Sequence, residues 1–316
     1  MFVVRRNTKL ATLAGVGLAA STGVLWGGQF AASAEVMKHV DVVHMTLARY
    51  SIAAVVLLVA LVVVEGRQAL SLQGRGGRVL GLGALGYVGF NVLGFAMVGP
   101  LPAQSVSVLV ATMPMIATAV AWAGGGARPR PALALAALLA FAGVVLVLGK
   151  GSPGAALTGA VGAPALLVLL AVAAWTIYTR GAAHFADWSP LRYTALTQVG
   201  GVVALMALTV AGEATGLSPT ARLSDYGDAL LPLLYMALPC AVYGVLAWNA
   251  AARRLGPATT SLFITLVPVT ALAIAAASGG STGVAELAGV ALVLAALVLG
   301  VTGGRLPATP AKKIGL

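Results

Sequence analysis

Ten polar or aromatic side chains interrupt the long apolar segments of this chain, and their types suit the binding of a small organic molecule. Tryptophan and tyrosine rings offer apolar faces with one polar edge, while amide and guanidinium groups can orient the polar parts of a ligand. Asparagine and glutamine are disfavoured against lipid, so they are expected to face the interior of a helical bundle. The candidate binding residues are Trp26, Gln29, Arg49, Tyr87, Asn91, Trp175, Tyr178, Tyr243, Trp248 and Asn249.

Arg49 is the one clear cation inside an apolar segment, about two helical turns from the nearer end of that segment. A charge at this depth is costly, so it is usually paired or faces a wet cavity. One interpretation is a clamp for a carboxylate or phosphate on a ligand. The favoured interpretation is structural or gating, with a side chain that reaches back to the membrane surface or pairs with Asp41 or Glu35.

No catalytic site, metal site or cofactor is predicted. The three histidines, His39, His44 and His184, are scattered, and the single cysteine, Cys240, excludes an intrachain disulfide or a cysteine-based zinc site. No phosphate-binding loop of the GxxxxGK[ST] type occurs. His39 and His44 are expected to be solvent-exposed loop residues, with pH sensing as the alternative.

The composition excludes a soluble domain and a disordered chain. Of 316 residues, 60% are hydrophobic and only 9% are charged, with a mean hydropathy of +1.00, whereas soluble domains carry about 25% charged residues. Apolar runs of about 20 residues indicate membrane helices rather than the alternating pattern of a β-barrel. The sequence predicts an all-α polytopic membrane protein with ten spans, near 10–33, 42–64, 79–98, 103–123, 131–149, 161–179, 191–212, 229–250, 257–278 and 284–302.

The net charge of +11 is distributed unevenly between the two sides of the membrane. With the N-terminus inside, 15 of the 19 Lys and Arg residues fall in segments on the cytoplasmic side. This asymmetry predicts a multi-pass protein of the bacterial inner membrane with both termini cytoplasmic, and it removes the need for a nucleic-acid partner. A cleavable signal peptide ending near Ala32-Ser33-Ala34 is the alternative for the first span.

The two halves of the chain are weakly similar. Trp26 falls on Trp175 at a shift of 149 residues, and Pro114 falls on Pro268 at a shift of 154. Each proline removes a backbone donor and predicts a helix kink. We therefore expect a five-helix repeat at 1–150 and a second at 151–316, the latter with a short basic tail. Because five spans is an odd number, the second repeat must be inverted, an arrangement found in secondary transporters.

Several short motifs, taken together with their order along the chain, resemble those of ten-span transporters of the EamA type within the drug/metabolite transporter superfamily. They are Leu25-Trp26-Gly27-Gly28-Gln29-Phe30, Leu47-Ala48-Arg49-Tyr50, Pro114, Gly143-Val144-Val145-Leu146, Ala173-Ala174-Trp175-Thr176-Ile177-Tyr178 and Pro268. The resemblance implies ten helices in two inverted repeats, and export or exchange of small metabolites by alternating access. One departure is that the acid often found after the fourth and ninth spans is absent here.

The expected function is that of a secondary transporter, an exporter of small organic metabolites such as amino acids or drugs, and not an enzyme. Its expected partners are a small-molecule substrate and the lipid bilayer, and a homodimer remains an open alternative. A membrane-embedded enzyme would need clustered acids or histidines. A scaffold subunit would not need polar residues at mid-membrane.

Overall fold

The computed structural model describes residues 2–98, 109–125, 131–149, 163–277 and 283–303, with positions 100, 106, 152 and 154 between them. Every regular element in these ranges is helical. We number the ten helical units in chain order: α1 (Phe2–Gly27 and Gln29–Val36), α2 (Val42–Glu65), α3 (Gly76–Phe95), α4 (Met113–Ala123), α5 (Pro131–Gly149), α6 (Ala163–Gly181), α7 (Pro190–Ala214), α8 (Leu230–Leu255), α9 (Pro257–Ser261, Leu262–Thr265 and Leu266–Ala277) and α10 (Val284–Gly303).

Seven of these units are long and apolar enough to cross a membrane, and α4, α5 and α10 are shorter apolar helices over their described residues. Together they fall on the ten predicted spans, so the predicted fold class is confirmed. The predicted repeat boundary at 150/151 lies outside the described residues, as do Arg128, Arg130, Arg305, Lys312 and Lys313 of the predicted cytoplasmic segments.

Local sequence explains several helix ends. The Asp41 carboxylate accepts hydrogen bonds from the backbone N–H of Val43 at 2.7 Å and of His44 at 3.2 Å, which caps the start of α2. Ser189 caps α7 in the same way through the N–H of Arg192 at 2.9 Å. Gly66 ends α2 with a φ of +81°, a backbone conformation that residues other than glycine rarely adopt.

The helix contacts are related by an exchange of the two halves. Helices α2 and α7, α4 and α9, and α5 and α10 pack together as equivalent pairs. The remaining major contacts come in matched sets, since α1 packs on α8 and α9 as α6 packs on α3 and α4. Each half holds five helices, so this pseudo-two-fold arrangement is an inverted repeat.

Glycines allow the closest helix approaches. A Cβ atom added at Gly83 of α3 would lie 2.3 Å from the carbonyl oxygen of Thr197 and 2.5 Å from the backbone nitrogen of Gly201, both on α7. At Gly143 of α5 it would lie 2.6 Å from the carbonyl oxygen of Gly289 on α10. Backbone therefore packs directly on backbone, as small residues permit in membrane helices.

Helix geometry is irregular at corresponding places in the two halves. Helices α3 and α8 each contain a wider, π-helical segment, at Ala84–Gly89 and Met236–Gly244. The helix tightens to 3₁₀ geometry at Leu262–Thr265, just before Pro268. In the first half, residues 111–112 form a turn just before Pro114. Such irregularities often mark functional positions in helices.

Arginines gather at one end of the bundle. Arg75 binds Asp187 through two hydrogen bonds of 2.7 Å, and these bonds hold the pKa of the Asp187 carboxyl below its ordinary value. Arg192 donates to the carbonyl of Ser71 at 2.7 Å, and Arg253 donates to that of Phe185 at 3.1 Å. The structure therefore brings together, at one end, loops that the charge pattern placed on one side of the membrane.

Candidate functional site

A cavity lies at the centre of the bundle, where the two repeats meet. Its walls come from α1, α2, α3, α6, α9 and the short helical stretch that precedes α4. The free space inside is about 10 Å³, which holds roughly one water molecule. The lining residues are Trp26, Gln29, Phe30, Arg49, Tyr50, Phe90, Asn91, Val110, Trp175, Ile264 and Val267.

Two pairs of lining residues are related by the repeat. Trp26 and Trp175 meet edge to face, with ring centroids 5.5 Å apart and planes at 78°. Val110 and Ile264 line the same cavity, and each lies four residues before the proline of its own half, Pro114 or Pro268. The cavity is therefore built jointly by equivalent positions of both repeats.

Arg49 is buried in this wall, with only 1% of its surface exposed. One guanidinium nitrogen, Nη2, donates to the Gln29 Oε1 atom and to the Tyr50 hydroxyl, both at 3.0 Å. The guanidinium also lies 4.5 Å from the Tyr50 ring centroid and 5.7 Å from that of Phe95. Its contacts are thus neutral amide, phenol and aromatic groups.

Among the described residues, the buried polar atoms of the cavity wall that lack a partner are all donors. They are Arg49 Nε and Nη1 and Trp175 Nε1. The predicted alternative partners of Arg49 bind elsewhere, since Glu35 pairs with Lys38 at 2.6 Å and Asp41 pairs with His44 at 2.5 Å. A buried cation without a counter-ion is costly. The wall is therefore complementary to a ligand that brings an anionic or acceptor-rich group.

A hydrogen-bonded layer supports the cavity from behind. The Tyr87 and Tyr178 hydroxyls lie 2.8 Å apart, and Asn249 Nδ2 donates to Tyr178 at 2.8 Å. The ring centroids of Trp248 and Trp26 lie 5.2 Å apart, and Trp248 Nε1 donates to the Thr179 hydroxyl at 3.1 Å. These fully buried contacts hold the two tryptophans of the cavity in place.

The family of the chain follows from comparison with known proteins. The profile of the EamA-like transporter family matches residues 13–149 and 163–302, one match for each half. The chain belongs to this family.

Curated relatives of this EamA-like chain are named as transporters. The Uncharacterized transporter YrdR of Bacillus subtilis (strain 168) is 26% identical over 278 residues, 87% of this chain and 87% of its own. The Uncharacterized transporter YyaM of the same organism is 26% identical over 247 residues, 78% of this chain and 80% of its own. A protein of known crystal structure shares the fold with a TM-score of 0.71 at 18% identity, covering 95% of this chain and 99% of that one.

The predicted binding residues of this EamA-like transporter fall into three groups. Five of them line the cavity: Trp26, Gln29, Arg49, Asn91 and Trp175. Four stand behind its wall: Tyr87, Tyr178, Trp248 and Asn249. Tyr243 lies apart from both groups, 43% exposed, with its hydroxyl 2.8 Å from that of Ser21.

Sequence reasoning missed part of the lining. Tyr50 links Arg49 to the Asn91 Oδ1 atom, which accepts from the Tyr50 hydroxyl at 3.1 Å. Its position directly after Arg49 was an available signal. The ring centroids of Phe90 and Trp175 lie 5.3 Å apart. The sequence does not show which apolar residues of an apolar span face a cavity.

An ionisable cluster around a buried histidine joins the two repeats at the end of the bundle opposite the arginine-rich loops. His44 is 6% exposed, so the expectation of a solvent-exposed histidine is wrong for this residue. Its Nδ1 atom lies 2.5 Å from Asp41 Oδ2, and its Nε2 atom lies 3.2 Å from Glu213 Oε1. The cap at Asp41 turns His44 inward, and the imidazole then connects α2 to α7. We call these three residues the outer tie.

No cluster of three or more metal ligands converges within the described parts of the chain. The outer tie does not form one, because its two carboxylates bind opposite nitrogens of the His44 ring. The residues that line the central cavity offer recognition by charge, hydrogen bonding and aromatic contact.

Proposed function

We propose that this EamA-like protein is a secondary transporter that exports small organic metabolites across the bacterial inner membrane by alternating access. The observation that carries the proposal is that repeat-related residues, Trp26 with Trp175 and Val110 with Ile264, line one central cavity. In an inverted repeat, two conformations related by exchange of the halves open such a site to opposite sides. The arginine-rich end is the cytoplasmic end in this proposal.

The proposed substrate carries at least one anionic group, as an amino acid or an organic acid does. Arg49 and the Trp175 N–H offer the unpaired donors that a carboxylate or phosphate would accept from. The rings of Trp26, Phe90 and Trp175 offer apolar surface to the rest of the molecule. The proposal therefore assigns to Arg49 the binding role rather than a purely structural one.

The cavity must expand for transport, because a space of about 10 Å³ does not admit an organic molecule. The outer tie crosses between α2 and α7 on the outer side in this proposal. Opening to that side requires these helices to separate, so breaking the tie favours the outward-open state.

Counterflow in proteoliposomes tests the proposed function. Vesicles preloaded with one unlabelled compound are given a radiolabelled one from a panel of amino acids, carboxylic acids and phosphate esters. We expect saturable uptake of at least one anionic or zwitterionic compound over protein-free vesicles. Absence of saturable flux across the whole panel contradicts the proposal and leaves the scaffold alternative.

Alanine at His44 is expected to expose the cavity to the outer side. The reporter is Gln29→Cys in a Cys240→Ala background, labelled by a membrane-impermeant maleimide on cells. With the tie intact we expect slow labelling, and with His44→Ala we expect a rate several times higher. The control is Lys38→Ala, which breaks the exposed Glu35–Lys38 pair on the same side. Equal rates in the two variants would mean that the tie does not hold this side closed.

A further inference from the structure

A lateral groove opens on the membrane-facing surface at the arginine-rich end of the bundle. It is lined by residues of α3, α4 and α6 and by residues just after α6. The volume of this groove is about 680 Å³, within the usual range for small-molecule sites. The lining residues that bear on its chemistry are Arg78, Gly81, Leu82, Leu85, Ile177 and Arg180. None of these residues lines the central cavity.

The groove is formed by two helical stripes with their cations at the same end. On α3 the lining residues fall at i, i+3, i+4 and i+7, starting at Arg78, which is one face of a helix. On α6 the lining residues Ile177, Arg180 and Gly181 follow the same spacing, and His184 lies in the 3₁₀ turn just after the helix. Because the two helices run in opposite directions, the charges meet at the membrane surface. The apolar walls then extend about 10 Å into the bilayer from there.

Within the part of the chain that the structure describes, no carboxylate pairs with the two arginines of the groove. No carboxylate lines the groove, and among the described residues neither Arg78 nor Arg180 has a hydrogen-bond or ion-pair partner. The nearby Asp187 is occupied by Arg75. Deeper in the groove, Leu85 and Ile177 are 38% and 39% exposed, so their surfaces are covered by lipid.

We propose that this groove binds an anionic phospholipid of the bilayer. The phosphate lies between Arg78 and Arg180, and an acyl chain follows Leu82, Leu85 and Ile177 inward. Two guanidinium groups at the membrane surface attract a phosphate, and the charge complementarity favours an anionic over a zwitterionic headgroup. The lipid rests on α6 and spans α3 and α4, so it stabilises the contact between the two repeats. This proposal is independent of which substrate the central cavity transports.

Thermal unfolding in detergent tests the site with phosphatidylglycerol as the probe and phosphatidylcholine as the reference. We expect phosphatidylglycerol to raise the Tm of the full-length protein by about 5 °C and phosphatidylcholine to have little effect. The double variant R78Q/R180Q should lose this difference. The control R67Q removes an exposed arginine near the same end that does not line the groove, and it should keep the difference.

A second pair of variants tests the apolar part of the groove without changing charge. A Cβ atom at Gly81 or at Gly77 meets nothing within 4 Å, so both glycines tolerate a larger side chain. Only Gly81 lines the groove, so Gly81→Phe should abolish the phosphatidylglycerol effect and Gly77→Phe should retain it. Equal losses in R67Q and R78Q/R180Q, or an equal rise with glycerol 3-phosphate alone, would overturn the proposal.

Discussion

Replacing Arg49 by glutamine is expected to weaken substrate binding by roughly 30-fold or more while the protein stays folded. Loss of one partner from a buried, hydrogen-bonded charge pair costs about 2–5 kcal/mol. In the proposed complex that pair is Arg49 with the anionic group of the substrate. Lysine at this position keeps the charge but loses the two-pronged donor geometry, so we expect an intermediate affinity.

Stability separates this role of Arg49 from a structural one. The partners of the guanidinium among the described residues are the neutral Gln29 and Tyr50, so its removal leaves no buried anion there unpaired. The Tm of R49Q without substrate is therefore expected to equal or exceed that of the unmodified protein. A purely structural arginine would give a lower Tm instead.

The matched control is Gln198, which corresponds to Arg49 in the second half at the same shift of 149 residues that relates Trp26 to Trp175. Gln198 is fully buried but does not line the cavity, and its only described hydrogen bond is a long one of 3.5 Å to the Tyr50 carbonyl. Gln198→Leu should keep substrate affinity in the same thermal-shift and counterflow measurements. If R49Q binds substrate as well as Gln198→Leu does, the cavity does not use Arg49.

Leucine at Gly83 is expected to prevent assembly of the bundle. The added side chain would meet the α7 backbone at Thr197 and Gly201, which cannot give way as a flexible side chain can. Overpacking of a core costs typically 1–3 kcal/mol, and a backbone clash of this kind costs about 3 kcal/mol or more. We expect little monodisperse protein in detergent and a strongly lowered Tm for the fraction that remains.

Gly77→Leu is the control for this substitution. Gly77 lies on the same helix, and a Cβ there meets nothing within 4 Å. The two variants add the same side chain to the same helix, so intrinsic helix propensity does not distinguish them. Similar yields and Tm values for both would show that α3 and α7 pack less closely than described here.

The ten helices could be predicted because span length and hydropathy are local properties of the sequence. The span predicted at 79–98 is observed as Gly76–Phe95, a shift of three residues at each end. The difference arises after Gly74, where a φ of +74° reverses the chain and the helix begins almost at once. Hydropathy alone does not register such a turn.

The direction in which individual side chains point was harder to predict than the helices. Tyr243 lies within the π-helical segment of α8, where the ordinary 3.6-residue period no longer gives the direction of a side chain. Its exposure therefore could not be read from spacing. The link between His44 and Glu213 joins residues 169 positions apart, and no local pattern encodes it.

The π-helical segment Ala84–Gly89 separates two parts of α3 that border different surroundings. Arg78 and Gly81 precede it and border lipid, while Asn91 follows it and borders the central cavity. An α-helix rotates by about 100° per residue, so the number of residues in the π-helical segment fixes the angle between these two surfaces. A one-residue deletion there would leave the hydropathy profile nearly unchanged. It would nevertheless rotate one surface by about 100° relative to the other, so this short segment constrains the architecture of the protein in a way that hydropathy does not register.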